Sequence, residues 1–319
     1  MRHKRLRSAF SGALVAGVDV GSVHLHQPVL TASGTAGHGV ELNSFFEMSQ
    51  IGGFVAKSLF ATEWPGNPAP RVHPTAAGMI NAVGLQGPGI QAWVEHDLVE
   101  LEKACVTTVV SIWGRTVEEY RHAAELIAPH AHRVVALEVN LSCPNLEGRG
   151  GIIAHDSEMS AAVVDACRVA GLSMWAKLSP NTDRVVDVAH SVITAGAETL
   201  TIGNTMLGLL VDTESARPVL GNGGGGLSGR AIHPVALRTV FDVRKALPDV
   251  PIVGVGGIAS GRDAIAMMQV GANAVQVGTA SFARPDAPMM VLNQMHAWAK
   301  THGITHWSEV TNATHRALA

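Results

Sequence analysis

Several things are scarce in this chain, and each scarcity excludes something. Aromatic residues are only 4% of the 319 positions, with a single Tyr, which argues against stacking platforms for nucleic-acid bases. Charged residues are 15% and the net charge is −3, so no global field attracts DNA, RNA or an anionic membrane. The three cysteines, Cys105, Cys143 and Cys167, are odd in number and scattered. A disulfide framework is therefore not expected, and a reducing cytoplasm is the default compartment. No apolar run reaches the length of a membrane-crossing helix. Arg2, Lys4, Arg5 and Arg7 ahead of an apolar stretch faintly imitate a secretory signal, but Gly12, Gly17 and Asp19 interrupt it. Residues 1–16 read as a solvated basic tail running into a hairpin.

What is plentiful is glycine, at 34 residues, and apolar material, at 47%. That is enough for a large core with many tight strand-to-loop turns. Segments 14–16 and 23–25 flank Asp19 and Gly21 and predict a small hairpin closing the base of the fold. From Pro28 a grammar repeats: a short apolar strand, a loop rich in Gly, Ser or Asn, then a helical segment. Strands are expected at 29–32, 54–57, 107–112, 137–140, 174–178, 199–202, 252–255 and 274–277. Helices are clearest at 117–127, 159–169, 234–246 and 261–270. Eight such units predict a (β/α)8 TIM barrel over residues 17–319 as one domain, with the functional loops after each strand. The insertion at 61–91 and the Gly-rich stretch 221–229 read as loops over that site.

The stretch Asn140-Leu141-Ser142-Cys143-Pro144-Asn145 ends one buried strand and releases a thiol and two carboxamides at its C-terminal edge. Taken alone, Cys143 is as well explained as a small buried hydrophobe. Gly256-Gly257 and Gly278-Thr279 end the last two strands, where barrels often hold a phosphate on backbone N–H groups; tight packing at barrel corners is the other reading. Gly223 to Gly226 would serve equally as a lid hinge. Cys105 and Cys167 read as helix core. His24 and His26 share one strand face but lack a third ligand nearby, so no metal site is expected.

Five motifs together carry a family resemblance: the cysteine loop, Asn81-Ala82-Val83-Gly84-Leu85-Gln86, Lys177-Leu178-Ser179-Pro180-Asn181, Asn204-Thr205 and Gly225-Gly226-Leu227-Ser228-Gly229. In order and spacing, from about Gly17 to Phe282, they resemble the dihydroorotate dehydrogenases. The cysteine marks class 1, and the wording of the second and fifth motifs is most like the class 1B catalytic subunit. The resemblance implies an FMN-binding barrel that oxidises (S)-dihydroorotate to orotate in de novo pyrimidine (UMP) biosynthesis. It also implies electrons leaving for NAD+ through a partner subunit carrying FAD and a 2Fe–2S cluster, around a barrel homodimer.

By the same resemblance Cys143 is the base and Lys57 lies beside substrate carboxylate and flavin. Asn81, Ala82, Val83, Gly84, Leu85, Asn140, Asn145, Asn204 and Thr205 form the substrate pocket, where carboxamides that both donate and accept suit a uracil-like ring. Ala32, Ser33, Gly34, Lys57, Ser58, Ser111, Asn140, Lys177, Gly203, Gly229, Gly256, Gly257, Gly278 and Thr279 would hold FMN, with Lys177 at the flavin's pyrimidine edge. Two departures stand out. Ser111 replaces a common Asn, so a flavin contact is expected to be shortened or bridged by water; Ala154-His155 replaces Phe-Gly after the cysteine loop. Alternatives are a fumarate-using class 1A enzyme, a dihydropyrimidine dehydrogenase-like flavin barrel, an aldolase with Lys177 as Schiff base, and a non-catalytic scaffold.

Overall fold

Short runs rich in Val, Ile and Leu form the strands, and in chain order these are β1 (Val18–Val20), β2 (Val23–Leu25), β3 (Val29–Thr31), β4 (Phe54–Val55), β5 (Val72–Thr75), β6 (Gly78–Asn81), β7 (Thr108–Ile112), β8 (Ala136–Asn140), β9 (Met174–Leu178), β10 (Thr199–Ile202), β11 (Met206–Gly208), β12 (Val211–Asp212), β13 (Arg217–Pro218), β14 (Gly225–Ser228), β15 (Ile252–Val255) and β16 (Ala274–Val277). The computed structural model describes residues 16–142 and 153–319. Cys143 and Asn145 lie outside the described residues.

Eight strands pair in the order β3-β16-β15-β10-β9-β8-β7-β4, all parallel. A parallel bridge between Leu30 and Gly53 closes the ring, with Thr31 N donating to Gly53 O at 3.1 Å and Gly52 N to Val29 O at 2.7 Å. Strands β8 and β9 are buried at all five positions, as expected of parallel strands covered on both faces. The result is a (β/α)8 barrel, and all eight expected barrel strands are present. Strand β4 stops before Lys57, whose N–H leaves the ladder for Gly37 O at 3.1 Å.

The helices form where apolar spacing and caps agree. Helix Val117–Ile127 buries Tyr120, Ala123, Ala124 and Ile127, a 3.6-residue stripe, and Thr116 caps it by accepting from Glu119 N. Helix Ser157–Cys167 begins two residues before its expected start because Asp156 accepts from Glu158 N and Met159 N. Cys167 is in the core, and burial pushes its thiol up to about 12. Cys105 differs from expectation: it is exposed, with φ 54, in the turn after helix Asp97–Lys103. The apolar stripe there ends at Leu101, so the chain has already turned to solvent at 105.

The basal hairpin also differs. Strand β2 pairs with β1, Val18 against Leu25 and Val20 against Val23, so the hairpin arm is 18–20, while positions 14 and 15 of the expected arm lie outside the described residues. Gly21, at φ 65, sets this register by supplying the turn conformation that a tight two-residue loop needs. The Glu198 carboxylate accepts from the hydroxyls of Ser22 and Ser173, tying the hairpin to the N-terminal ends of β9 and β10. His24 Nδ1 lies 2.7 Å from Asp19 Oδ1 across the hairpin.

At the opposite end the two expected loops, joined by residues 206–208, form a sheet. Strands β11, β14, β6 and β5 pair antiparallel in that order. Gly225 and Gly226 lie inside β14, so they do not form a hinge. A Cβ on Gly225 would meet Asn81 O at 2.5 Å, and one on Gly226 would meet Thr205 Oγ1 at 2.0 Å. These glycines let three backbone segments close over the barrel mouth.

Candidate active site at the barrel mouth

Register decides which side chains reach the inside. Ser111 is level with Glu138, Asn140 with Lys177, Lys177 with Thr201, and Val255 with Gln276. Because partners in a parallel pair point to the same face, these residues share one side of the sheet. Lys177 on β9 touches Gln276 on β16, two strands that are not neighbours, so that side is the barrel interior. Polar residues thus collect at the C-terminal end of an otherwise apolar barrel.

Above them lies a cavity of about 810 Å3, lined by the strand ends and by the antiparallel sheet. It is large enough for a cofactor and a small substrate together. Of the residues anticipated from sequence, Ala32, Ser33, Gly34, Lys57, Ser58, Asn81, Val83, Gly84, Leu85, Asn140, Lys177, Gly203, Asn204, Thr205, Gly229, Gly256, Gly257, Gly278 and Thr279 line it. Ala82 and Ser111 do not. Ala82 is fully buried beside Ile80 and Leu220, and its N–H donates to Arg71 O at 2.8 Å. Ser111 stands behind the wall, its hydroxyl 2.9 Å from Ser58 Oγ and donating to Glu138 Oε1 at 3.4 Å. A serine is too short to pass Ser58 and reach the cavity.

The carboxamides are held before any ligand arrives. Asn140 Nδ2 donates to Ser58 Oγ at 2.9 Å, and its Oδ1 accepts from Ser142 N and Ser142 Oγ. Asn204 Nδ2 donates to Ser142 Oγ at 2.6 Å, while its Oδ1 accepts from Thr205 N at 2.7 Å. Asn81 Nδ2 donates to Gly226 O at 3.2 Å. A primary amide has two N–H groups, so these bonds fix each carboxamide and leave Asn140 a further donor for a ligand. Tyr120 Oη donates to Asn140 O at 2.6 Å, so an outer helix clamps the end of β8. After the cysteine loop, Ala154 is buried and its N–H donates to Leu141 O at 3.1 Å.

Lys57 is half-buried, and burial, with the Arg71 charge adding to it, lowers its pKa. Among the described residues no carboxylate forms an ion pair with it, so its charge is open to an anionic ligand. The neighbouring His38 imidazole is driven down to about 4, by burial first and by the Lys57 charge second. Between pH 6.5 and about 4 the unfolded chain therefore takes up a proton that the folded chain refuses, so stability falls as pH falls through that window. We expect His38→Gln to flatten this part of the profile, measured as urea midpoints at pH 7 and pH 5. An unchanged slope would show that His38 titrates normally.

At the far end, Gly256 and Gly257 adopt φ 138 and 68, and a Cβ on either would run into Ala236 or His233. Tight packing and left-handed backbone both require these glycines, and both line the cavity. Thr279 Oγ1 donates to Ser228 Oγ at 2.8 Å, so the proton available to a ligand there is that of Ser228. Ser228 and Arg230 line the cavity and were not anticipated from the sequence, although both flank the recognised Gly229. Glu138 and Gln276 were missed altogether: single polar residues within apolar strands carry no motif.

Strand-end backbone, hydroxyls and Arg230 at one end, fixed carboxamides and Lys57 at the other, line a cavity at the C-terminal face of a (β/α)8 barrel, the place where enzymes of this fold keep their chemistry. The chain belongs to the dihydroorotate dehydrogenase family: the family profile described as Dihydroorotate dehydrogenase matches residues 15–298. It is 42% identical over 297 residues to a protein of Trichlorobacter lovleyi named dihydroorotate dehydrogenase B (NAD(+)), catalytic subunit, covering 93% of this chain and 97% of that one. A protein of the same name from Pelobacter propionicus is also 42% identical over the same coverage, and one from Alkaliphilus oremlandii is 40% identical over 92% of this chain and 97% of its own. Membership implies a flavin, and the donor set fits one: an ammonium at Lys177, a carboxamide at Asn140, an apolar flank at Val255, Ile258 and Met290, and a hydroxyl and a guanidinium at Ser228 and Arg230 that could receive a phosphate. No helix among the described residues is long and apolar enough to cross a membrane.

Proposed function

We propose that this chain oxidises (S)-dihydroorotate to orotate in de novo pyrimidine biosynthesis, with FMN in the cavity and electrons passing to NAD+ through a partner subunit. The observation that carries the reading is near full-length similarity to NAD(+)-type catalytic subunits together with a cavity lined by the anticipated lysines and carboxamides. FMN, when bound, supplies the acceptor for a hydride from the carboxylate-bearing carbon. Cys143 takes the proton from the ring carbon beside the carbonyl, as a thiolate. Lys57 receives the substrate carboxylate. Asn81, Asn140, Asn145, Asn204 and Thr205 hold the amide edges, with Val83, Gly84 and Leu85 closing one side. Asn181 supports this set: its Nδ2 donates to Thr205 O and its Oδ1 accepts from Leu207 N. Ser33, Ser58, Lys177, Gly203, Gly229 and the glycine pairs hold FMN. The assembly is a cytoplasmic barrel dimer flanked by subunits carrying FAD and 2Fe–2S.

The test is an anaerobic titration of the purified protein with dihydroorotate, followed by flavin absorbance. Stoichiometric bleaching is expected; a flavin that stays oxidised removes this substrate. Lys177 gives a second expectation. Its ammonium stabilises the negative charge that accumulates on reduction, so Lys177→Met should make bound FMN harder to reduce. A midpoint potential equal to that of the wild type would deny it the role.

A further inference from the structure

A buried ion pair sits directly behind the cavity, and nothing so far uses its acid. Lys177 Nζ donates to Glu138 Oε1 at 3.3 Å and to Gln276 Oε1 at 3.4 Å, and Gln276 Nε2 donates to Glu138 Oε2 at 2.8 Å, closing a ring of three side chains. Glu138 and Gln276 are 0% exposed and Lys177 is 4% exposed. Lys177 lines the cavity, whereas Glu138 and Gln276 do not. Ser111 Oγ adds a donor to Glu138 Oε1. Burying such a pair gives little or no net stability, and apolar residues of similar volume would pack the barrel as well or better. A carboxylate kept here, satisfied on both oxygens and bonded to a lysine that lines the cavity, points to a task at the ligand.

We infer that Glu138, braced by Gln276, is a positioning residue for Lys177 that holds the ammonium toward the flavin and offsets part of its charge, thereby setting how readily the flavin is reduced. The inference rests on the flavin reading above. Its physical content is a sign. Lys177 favours the reduced, more negative flavin; the Glu138 carboxylate one side chain further away opposes that field in a region of low dielectric. Removing the negative charge while keeping the shape leaves the lysine charge less compensated. Gln276, which contacts both partners through one amide, fixes the distance between them, and this is why the carboxylate and carboxamide can be exchanged in principle: each position presents an oxygen to Nζ.

The experiment measures the midpoint potential of FMN-loaded protein by dye-equilibrated reduction, with the FMN dissociation constant and melting temperature recorded beside it. In Glu138→Gln we expect the two-electron reduction equilibrium to shift toward reduced flavin by on the order of tenfold, ~30 mV, opposite in sign to Lys177→Met. The exchange variant Glu138→Gln/Gln276→Glu restores one carboxylate against Lys177, and its potential should return close to that of the wild type. If Glu138→Gln does not fold, Glu138→Asp draws the carboxylate back from Lys177 and should shift the potential in the same direction by a smaller factor. A structural role alone would change melting temperature or FMN affinity and leave the potential in place. A potential that is unmoved or lowered in the Glu138 variants overturns the inference, as does an exchange variant that stays at the Glu138→Gln value. Wild-type protein that takes up no flavin would instead overturn the proposed function.

Discussion

In a Cys143→Ala variant, reduction of bound FMN by dihydroorotate is expected to slow by roughly two to four orders of magnitude, the usual span for a positioned general base. The hydride cannot leave the substrate productively unless the neighbouring ring carbon gives up its proton, and alanine has nowhere to put it. The side chains around the point where the chain enters Cys143 are fixed independently of the thiol. Asn140 O accepts from Tyr120 Oη, and the Ser142 hydroxyl is held between Asn140 and Asn204. The residues proposed to hold FMN, Ser33, Lys177 and the glycine pairs, line the cavity from other strands, so the variant should still be yellow. Anaerobic stopped-flow mixing reads the rate and the flavin spectrum reads occupancy. A reduction rate equal to that of the wild type would remove Cys143 from the mechanism.

The second large effect concerns the route of the electrons. The purified barrel should reduce an artificial dye with dihydroorotate yet turn over NAD+ at no more than background, and adding the partner subunit should restore NAD+ reduction. On the proposed reading reduced FMN needs an outlet, and the sequence carries no motif for a second redox group. Its three cysteines lack cluster spacing, no Gly-x-Gly-x-x-Gly opens a dinucleotide fold, and among the described residues no group of His, Cys, Asp or Glu is arranged to hold a metal ion. The relatives named above are catalytic subunits of NAD(+) enzymes, which implies a partner for them. Efficient fumarate turnover by the barrel alone would place the chain in class 1A, and NAD+ turnover without a partner would break the assignment in a different way.

The two effects separate the functions of the site. On the proposed reading, the first depends on proton removal from the substrate and the second on onward transfer of the electrons. A preparation can fail one and pass the other, which is what makes the pair informative about where electrons stop.

By itself the sequence determined the repeating strand-loop-helix pattern, because a strand covered on both faces must be apolar throughout and its end must be marked by a glycine or a short polar residue. It also determined most of the cavity wall, since the residues at strand ends come in local motifs: Asn140 before the cysteine loop, Lys177 before Ser179 and Asn181, the two glycine pairs. Three things were decided only by tertiary structure. The mouth sheet depends on β14 pairing with β6, residues as far apart as Gly226 and Asn81, and no local pattern announces a pairing over that separation. The exclusion of Ser111 and Ala82 from the cavity depends on what stands in front of them, Ser58 in one case and the packing of Ile80 and Leu220 in the other. The ring of Glu138, Lys177 and Gln276 joins strands β8, β9 and β16 across the barrel interior; each residue is a lone polar letter in an apolar strand, and only closure of the sheet brings the three into hydrogen-bond range.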